Sequence, residues 1–422
     1  MQTAFQSADI LLPKQNIDKT KWAVVACDQY TSEPDYWNQV DALVGKDSSA
    51  LRLILPELYL EQPDVSARIE DIHKAMDAYL AADLFDTYPN AMFYIERIQS
   101  DGKCRAGLIG KLDLEQYDYT RGSTSSVRAT EATVLERIPP RKKVREGAAL
   151  ELPHIMILID DTDRTVIEPI AGKTNELEQV YDFLLMQGGG SLRGWQLPEA
   201  EQARINDALC KLAEPDAFAK KYQLPAGTPV LLYAMGDGNH SLATAKAYYE
   251  GLKAANPGKD LSNHPARYAL VEIVNLHSDA LQFEAIHRIV TGVDPKALLA
   301  AMTESLQLQA DGNGQAIQVV ENGSCAKRFI HAPSSNLTVG SVQNFLDSYL
   351  QAHGGKVDYI HGEDVVKKLS CAPDAIGFLL PDMGKEELFP TVIADGALPR
   401  KTFSMGHAAD KRFYMECRRI TE

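Results

Sequence analysis

Apolar runs of strand length recur along the chain and predict buried strands. The clearest runs lie at residues 22–27, 229–234 and 268–274, each bounded by polar or turn-forming residues. Two further runs, at 375–380 and 412–417, predict another strand and a strand that closes the fold. The spacing of these runs leaves room for helices between them.

Helices are predicted where apolar residues follow helical spacing and capping residues mark the ends. One helix begins near Thr31, with Pro34 in its first turn, and continues to residue 40. The same criteria predict the remaining helices at 65–84, 175–186, 199–213, 241–249, 295–306 and 342–352.

Two pairs of apolar runs predict hairpins. Residues 91–97 and 104–110 flank Asp101-Gly102, a favourable hairpin turn, and residues 153–159 and 165–170 flank a polar turn at 160–163. Hairpins exclude a purely doubly wound fold. The predicted class is therefore α/β (mixed α+β), with a mixed sheet, hairpins and flanking helices.

A segment containing Pro and Gly at 222–229 is the best candidate for a domain boundary. It would separate an N-terminal α/β region, 1–222, from a C-terminal α/β region, 223–422. The alternative is that this segment is a loop within one intertwined unit.

Composition narrows the classes of function. The chain has 422 residues, 45% hydrophobic and 24% charged, which is ordinary for a soluble globular protein of two or three domains. Its net charge of −15 disfavours a nucleic-acid partner. No apolar run is long enough to cross a membrane, no signal peptide is evident, and the six cysteines are widely spaced. These features predict a cytoplasmic protein with reduced thiols.

The strongest candidate site is the polar turn at residues 235–241, between the run at 229–234 and an Ala-rich helix. Gly236 and Gly238 permit a tight strand-to-helix turn, and the first amides of the helix favour a bound phosphate or carboxylate. Asp237, Asn239, His240 and Ser241 would surround such an anion. The alternative is that these polar residues only cap the helix.

A basic block within residues 137–145 stands out in this acidic chain. Arg137, Arg141 and Arg145 carry guanidinium groups suited to bidentate recognition of phosphate or carboxylate. The alternative is a solvated basic surface.

Three other segments carry weaker signals. Asp28 follows a predicted strand, where its carboxylate could project into a cleft. The Gly-rich segment 187–195 lacks the P-loop ending, so a lid or a helix C-cap is expected there. His287 lies in an apolar stretch typical of a structural histidine. No His-x-x-x-His or Cys-x-x-Cys spacing supports a zinc site, whereas Mg²⁺ could bind through Asp237 and substrate phosphates.

Several of these segments together resemble a known family. Over nearly its full length the chain is similar to the bacterial and archaeal "domain of unknown function 1015" proteins. The matching segments are residues 26–32, 128–146, 152–156, 236–241, 286–288 and 398–402. The family name implies no activity.

A shorter resemblance does imply one. Residues 237–240 resemble the Asp-Gly-His-His-Arg turn of the ParB and sulfiredoxin superfamily, which includes nucleotide-binding members and kinases of free serine. The resemblance implies a ParB/sulfiredoxin-like strand-turn-helix around 229–250 that holds nucleotide phosphates. Ser241 stands where the superfamily commonly has Arg, so Arg137, Arg141 or Arg145 would have to supply that charge.

The leading hypothesis is a small-molecule kinase that uses ATP or ADP with Mg²⁺ to phosphorylate a hydroxyl metabolite such as free serine. Asp237 would contact the metal or the hydroxyl, with Gly238, Asn239, His240 and Ser241 at the phosphates and Glu131 as the general base. The alternatives are a phosphatase of a small phosphorylated metabolite and a non-enzymatic nucleotide or metabolite sensor. A ParB-like role on DNA is opposed by the net charge.

Overall fold

A computed structural model describes residues 3–152 and 154–422, and the described chain divides into two compact units. The first unit contains the described residues of 1–129, 133–281 and 407–422, and the second contains 130–132 and 282–406. The boundary expected after residue 222 falls inside the first unit. The C-terminal segment returns to the first unit after the second unit is complete.

The helices of the described chain are short to medium in length. They are α1 (Lys19–Trp22), α2 (Pro34–Val44), α3 (Val65–Ala81), α4 (Ile138–Arg145), α5 (Glu199–Leu212), α6 (Pro215–Lys221), α7 (Asn239–Ala255), α8 (Pro295–Leu306), α9 (Thr338–His353), α10 (Glu363–Leu369) and α11 (Leu388–Asp395).

The strands range from two to ten residues. They are β1 (Phe5–Gln6), β2 (Ala8–Pro13), β3 (Phe85–Ala91), β4 (Phe93–Ile98), β5 (Cys104–Asp113), β6 (Tyr117–Asp118), β7 (Val127–Arg128), β8 (Leu150–Glu151), β9 (Met156–Ile159), β10 (Glu178–Leu184), β11 (Ser191–Gln196), β12 (Tyr233–Asp237), β13 (Tyr268–Asn275), β14 (Phe283–Ala285), β15 (His287–Thr291), β16 (Leu308–Gln309), β17 (Gln315–Glu321), β18 (Ser324–Ile330), β19 (Lys356–Ile360), β20 (Ala375–Leu379), β21 (Phe403–Met405) and β22 (Arg418–Arg419).

A ten-stranded mixed sheet organises the first unit. Nine strands follow the order β10-β11-β4-β5-β13-β9-β12-β7-β6, and β1 pairs with β5. The pairs β13–β9 and β12–β7 are parallel, whereas β13–β5 and β12–β9 are antiparallel. The predicted mixed α/β class with a hairpin at β4–β5 is confirmed.

Both faces of this sheet are buried, as the central strand β13 shows. Ala269, Val271 and Ile273 point into one apolar cluster, and Leu270 points into the other. This alternation follows from the two-residue period of a strand. A strand buried on both faces reads as a nearly continuous apolar run, which is why the sequence at 268–274 predicted it.

The second unit contains a six-stranded sheet in the order β16-β18-β17-β20-β15-β19. The helix and strand predicted at 295–306 and 375–380 are present as α8 and β20, and the helix predicted at 342–352 lies within α9. His287 is buried, and its Nδ1 accepts a hydrogen bond from the Leu380 amide at 3.2 Å. This is the contact expected of a structural histidine.

Two predictions about the first unit are wrong. The helix predicted at 175–186 is the strand β10, which pairs antiparallel with β11 across the Gly-rich segment, so that segment is a hairpin turn rather than a lid or cap. The strand predicted at 165–170 is absent, because the Asp161 carboxylate accepts the amides of Thr165 and Val166 at 2.6 and 2.8 Å and holds a loop. A 3-10 helix follows at Glu168–Glu176.

The segments predicted as strands at 22–27 and 412–417 pair with each other only briefly. A single bridge joins Val25 to Phe413, and the Ala26 and Tyr414 amides donate to the Arg412 and Val24 carbonyls. All six cysteines are free thiols in this structure. Among the described residues, no helix is long and apolar enough to cross a membrane.

A buried charge network fixes the C-terminal segment to the sheet. Glu272 of β13 is fully buried, and its two carboxylate oxygens accept from Arg105 Nε and Arg412 Nε, both at 3.1 Å. Arg412 also donates to Glu416 at 2.5 Å. The charges compensate one another, so the pairing avoids the large cost of burying an isolated ion.

We predict that Glu272→Gln lowers the free energy of unfolding of the first unit by about 3–5 kcal/mol, because the change leaves Arg105 buried without its anionic partner. The protein's three tryptophans, Trp22, Trp37 and Trp195, all lie in this unit, so urea denaturation followed by their fluorescence measures the loss.

The control for that measurement is Asp41→Asn, which removes an exposed pair with Arg52 and should cost less than about 1 kcal/mol. Equal effects of the two substitutions would show that the buried network does not stabilise the sheet.

Candidate functional site

The candidate turn has the strand-turn-helix form that the sequence predicted. Strand β12 ends at Asp237 and α7 begins at Asn239, with Gly238 between them in the left-handed conformation at φ 78°. The strand begins later than predicted, at Tyr233, and the helix begins earlier. Gly238 has no side chain to cap α7, so the first amides of this 17-residue helix face the space beside the turn.

Antiparallel pairing of β12 with β9 brings a histidine to this turn. Because the two strands run in opposite directions, the end of β12 lies beside the start of β9, and Asp237 pairs with Met156. His154 therefore lies next to Gly238 and is 4% exposed.

Pairing of the C-terminal segment with an N-terminal segment brings two more groups to the turn. Residues 412–414 run antiparallel to residues 24–26, so the ends of these segments, Asp28 and Lys411, meet near the turn. Lys411 Nζ lies 3.3 Å from Asp237 Oδ2.

Asp28 is ionised in this cluster. Burial opposes ionisation, but the charges of His154 and Lys411 and a hydrogen bond from the Gln29 amide outweigh it, so the pKa of Asp28 lies below its usual value. Lys411 thus stands between two carboxylates, Asp28 and Asp237, and neutralises part of their charge.

A chain of hydrogen bonds runs from Cys27 through Tyr414 and His154 to Ser241. The Cys27 amide donates to Tyr414 Oη at 3.1 Å, Tyr414 Oη lies 2.6 Å from His154 Nδ1, and His154 Nε2 lies 3.1 Å from Ser241 Oγ. Burial raises the pKa of Tyr414, so its phenol keeps a proton that it can donate to Nδ1. On the other side of the ring, His154 Nε2 faces Ser241 Oγ and, at 3.7 Å, Asp28 Oδ2.

The structure places two arginines of the basic block at a cavity shared with Ser241, although each has a carboxylate partner. Arg141 pairs with Glu57, and Arg145 pairs with Glu151 at 2.6 Å. Arg137 is exposed. The nearest cation to Asp237 described here is Lys411, a residue that the sequence reasoning did not select.

The remaining residues fall into two groups. Asn239 and His240 lie half-buried in the first turn of α7, and Asn239 Oδ1 is buried without a hydrogen-bond partner among the described residues. Glu131 belongs to the second unit, where it bridges to Leu398, so the first unit's site is built without it.

Sequence reasoning missed His154, Lys411 and Tyr414. His154 was part of a segment that matched the resembled family, which was the available signal. Lys411 and Tyr414 lie about 170 residues along the chain from the turn. Strands were predicted at 22–27 and 412–417, but the sequence does not show that these two segments pair with each other.

The arrangement can hold an anion and move a proton. The amides of α7, its positive end and Lys411 favour a phosphate, while Asp28 and His154 are acid–base groups within the same cluster. Among the described residues no group of three His, Cys, Asp or Glu side chains could hold a metal ion. Mg²⁺ would fit only through Asp237 or Asp28 together with oxygens of a bound phosphate, which is its usual manner of binding to nucleotides.

A model of the family described as "Protein of unknown function (DUF1015)" matches residues 11–349, most of the chain. Among curated proteins, none matches the chain significantly.

Solved structures similar to the chain include three with about one residue in ten identical. SbnI with a C-terminal truncation, from Staphylococcus aureus, has 10% identity and a TM-score of 0.37 and covers 72% of this chain and 85% of its own. A conserved hypothetical protein from Pyrococcus furiosus has 9% identity and a TM-score of 0.36, covering 74% and 94%. A mutant free serine kinase in complex with AMP has 9% identity and a TM-score of 0.39, covering 74% and 91%. Similarities this low do not transfer an activity or a ligand.

We predict that Gly238→Ala destabilises the first unit by more than Gly258→Ala. Both glycines have positive φ, 78° and 89°, which costs an L residue about 1–2 kcal/mol. At Gly238 a Cβ would also lie 3.1 Å from Ile155 Cα, whereas at Gly258 no described atom beyond its chain neighbours lies within 4 Å. Tryptophan fluorescence during thermal unfolding measures both variants. Equal melting temperatures would show that the close approach of the turn to β9 adds no constraint.

Proposed function

We propose that this chain, which belongs to the DUF1015 family of proteins of unknown function, is a kinase that transfers a phosphoryl group from ATP or ADP to the hydroxyl of a small metabolite. The observation that carries the proposal is the charge cluster at the start of α7, where Lys411 lies beside Asp237 and the uncapped helix amides. Phosphoryl transfer chiefly requires positioning and neutralisation of charge, and this cluster offers both.

The phosphates of the donor would lie against the amides of Asn239, His240 and Ser241. The helix dipole favours negative charge there, and Gly238 allows the close approach of a phosphate because it has no Cβ. Lys411 would form the charge-assisted contact that the sequence reasoning assigned to an arginine. Asn239 Oδ1, buried without a partner in the described chain, would accept a hydrogen bond from the bound ligand or its water.

Asp28 is the general base that the first unit offers. Its pKa lies below the usual value, so the carboxylate is ionised at neutral pH, and His154 Nε2 lies 3.7 Å from its Oδ2. In the transfer, the acceptor oxygen bonds to the terminal phosphorus of the nucleotide, the bridging P–O bond breaks, and the hydroxyl proton passes to Asp28. The role of Glu131 as base stays a prediction, since that residue belongs to the second unit.

Mg²⁺, when bound with the nucleotide, would neutralise phosphate charge. Asp237 is the carboxylate best placed to hold the metal ion. Lys411 contacts its Oδ2, whereas Oδ1 accepts only from the Gly238 amide among the described contacts and can also face the ligand. Free serine remains one candidate for the acceptor.

A phosphatase of a small phosphorylated metabolite is the second candidate, favoured by the pair Ser241–His154. A hydroxyl 3.1 Å from an imidazole nitrogen has the geometry of an activated nucleophile. This reaction needs the imidazole tautomer with the proton on Nδ1 and Nε2 free to accept from Ser241. Release of inorganic phosphate without nucleotide, lost in Ser241→Ala, would support it over the kinase.

We predict that Asp237→Asn lowers turnover at least about a hundredfold while changing the free energy of unfolding by less than about 1.5 kcal/mol, because the side chain keeps its shape and loses its charge. The measurement is nucleotide consumption with Mg²⁺ and a panel of hydroxyl metabolites that includes serine. The exposed Asp163→Asn is the matched control and should keep full activity. Full activity in Asp237→Asn would reject the role of this residue, and nucleotide binding without turnover in the wild type would favour the sensor.

We predict that Lys411→Gln weakens nucleotide binding by about 1.5–3 kcal/mol, the value of one charged hydrogen bond, whereas Arg137→Gln leaves it unchanged. Comparing the two variants distinguishes a direct contact of Lys411 with the nucleotide from a general effect of the positive charge of the basic block. Titration calorimetry with ADP at fixed ionic strength gives both affinities. A larger loss of affinity in Arg137→Gln than in Lys411→Gln would show that the basic block, rather than Lys411, contacts the phosphate.

A further inference from the structure

A cavity of about 150 Å³ lies beside the charge cluster in the first unit. Its wall is mostly apolar and comes from the segment 53–60, from α3, from the segment 144–155 that begins in α4, and from the polar face of α7. The buried apolar side chains are Leu53, Ile54, Leu55, Met76, Ala148, Leu150, Leu152 and Ile155. Leu60 and Val144, which are only partly buried, complete the apolar wall.

The polar groups of the cavity connect it to the site. Ser241 and Thr244 line it from one face of α7, and His154 and Tyr414 line it through the same hydrogen-bond chain that reaches Ser241. A molecule in the cavity therefore has hydroxyl and imidazole groups at one side, while the rest of the wall is mostly hydrocarbon with two salt-bridged arginines.

The charged groups at this cavity are already engaged in salt bridges. Arg141 pairs with Glu57, and Glu151 pairs with both Arg145 and Arg418. Burial raises the pKa of the Cys27 thiol, which stays neutral. An ionised head group would lose its hydration on entry and would have to compete with these pairs for a partner.

One hydroxyl at the wall has no partner. Thr244 is 4% exposed, and its Oγ1 makes no hydrogen bond within the described chain. A buried hydroxyl without a partner is costly, and its position at the cavity wall, one helical turn from Ser241, makes the interior the place where it can be satisfied.

We infer that the cavity binds an uncharged alcohol with an apolar body of about six heavy atoms, its hydroxyl bonded to Thr244. The size follows because a cavity of similar volume in another protein accommodates benzene. The inference rests on the proposed function, since it makes this alcohol the phosphoryl acceptor, and it favours an apolar acceptor over serine.

The experiment uses benzyl alcohol as the probe, with benzoate and serine for comparison. Ligand-observed NMR on the full chain without nucleotide should show saturable binding of benzyl alcohol and at least tenfold weaker binding of benzoate and serine. Equal or tighter binding of benzoate or serine would overturn the inference, because it would show that the charged side chains of the wall leave their salt bridges to hold an ionised ligand.

Two variants test the location. Thr244→Val keeps the shape of the side chain and should weaken benzyl alcohol about three- to tenfold, the range of one neutral hydrogen bond, while Thr303→Val on the exposed surface of α8 should not. Ala148→Leu fills the cavity and should abolish binding. Tryptophan fluorescence checks that each variant is folded. Unchanged affinity for benzyl alcohol in both cavity variants would show that the alcohol binds elsewhere and would overturn the inference.

The two proposals fail in different ways. If benzyl alcohol binds in the cavity and stimulates no nucleotide consumption, the cavity binds its ligand and the kinase proposal is wrong. If serine drives nucleotide consumption that depends on Lys411 and benzyl alcohol neither binds nor reacts, the kinase proposal stands and the inference about the cavity is wrong.

Discussion

The buried carboxylate of Glu272 is the constraint on which the site depends. It lies on the central strand of the sheet, and its two oxygens hold Arg105 and Arg412 at 3.1 Å. Arg105 also donates to the Asp410 carbonyl at 2.9 Å, so both residues that flank Lys411 in sequence are fixed to the sheet. A lysine on a freely moving C-terminal segment would lose side-chain and backbone entropy each time it reached Asp237. The buried network orders this segment when the protein folds, so Lys411 is already in position before a ligand binds.

Much of the fold could be predicted because its strongest signals are local. The run at 268–274 is apolar because β13 is buried on both faces, and the turn at Gly238 is readable because only glycine adopts its conformation easily. The strand β10 was predicted as a helix for the opposite reason. Most of its side chains are exposed or half-buried, and its pairing with β11 depends on a hairpin in which Gln187, Gly188 and Gly190 all have positive φ. Its secondary structure is determined by pairing with the neighbouring strand and not by the local periodicity of its apolar residues.

The candidate site likewise contains residues that local sequence predicts and residues that only strand pairing brings together. Asp237, Asn239, His240 and Ser241 are consecutive or nearly so, and one turn places them together. His154, Lys411 and Tyr414 come from distant parts of the chain and meet the turn only through strand pairing. The basic block shows why a high local density of basic residues does not by itself identify an anion site. Its density suggested an anion site, yet Arg141 and Arg145 neutralise Glu57 and Glu151, and a sequence does not show which cations are already paired.

The protonation of His154 links the polar cluster to the cavity. Tyr414 and the Cys27 amide lie on its Nδ1 side, and Ser241 and Asp28 lie on its Nε2 side. With the proton on Nε2, the imidazole stabilises the Asp28 carboxylate and leaves the Ser241 hydroxyl proton for a phosphate oxygen. With the proton on Nδ1, the same imidazole would accept from Ser241 and make it a nucleophile. Burial raises the pKa of Tyr414, so its phenol stays protonated. A protonated phenol can donate to Nδ1 in the first state and accept from it in the second, so one set of contacts supports both transfer to a bound hydroxyl and attack by Ser241.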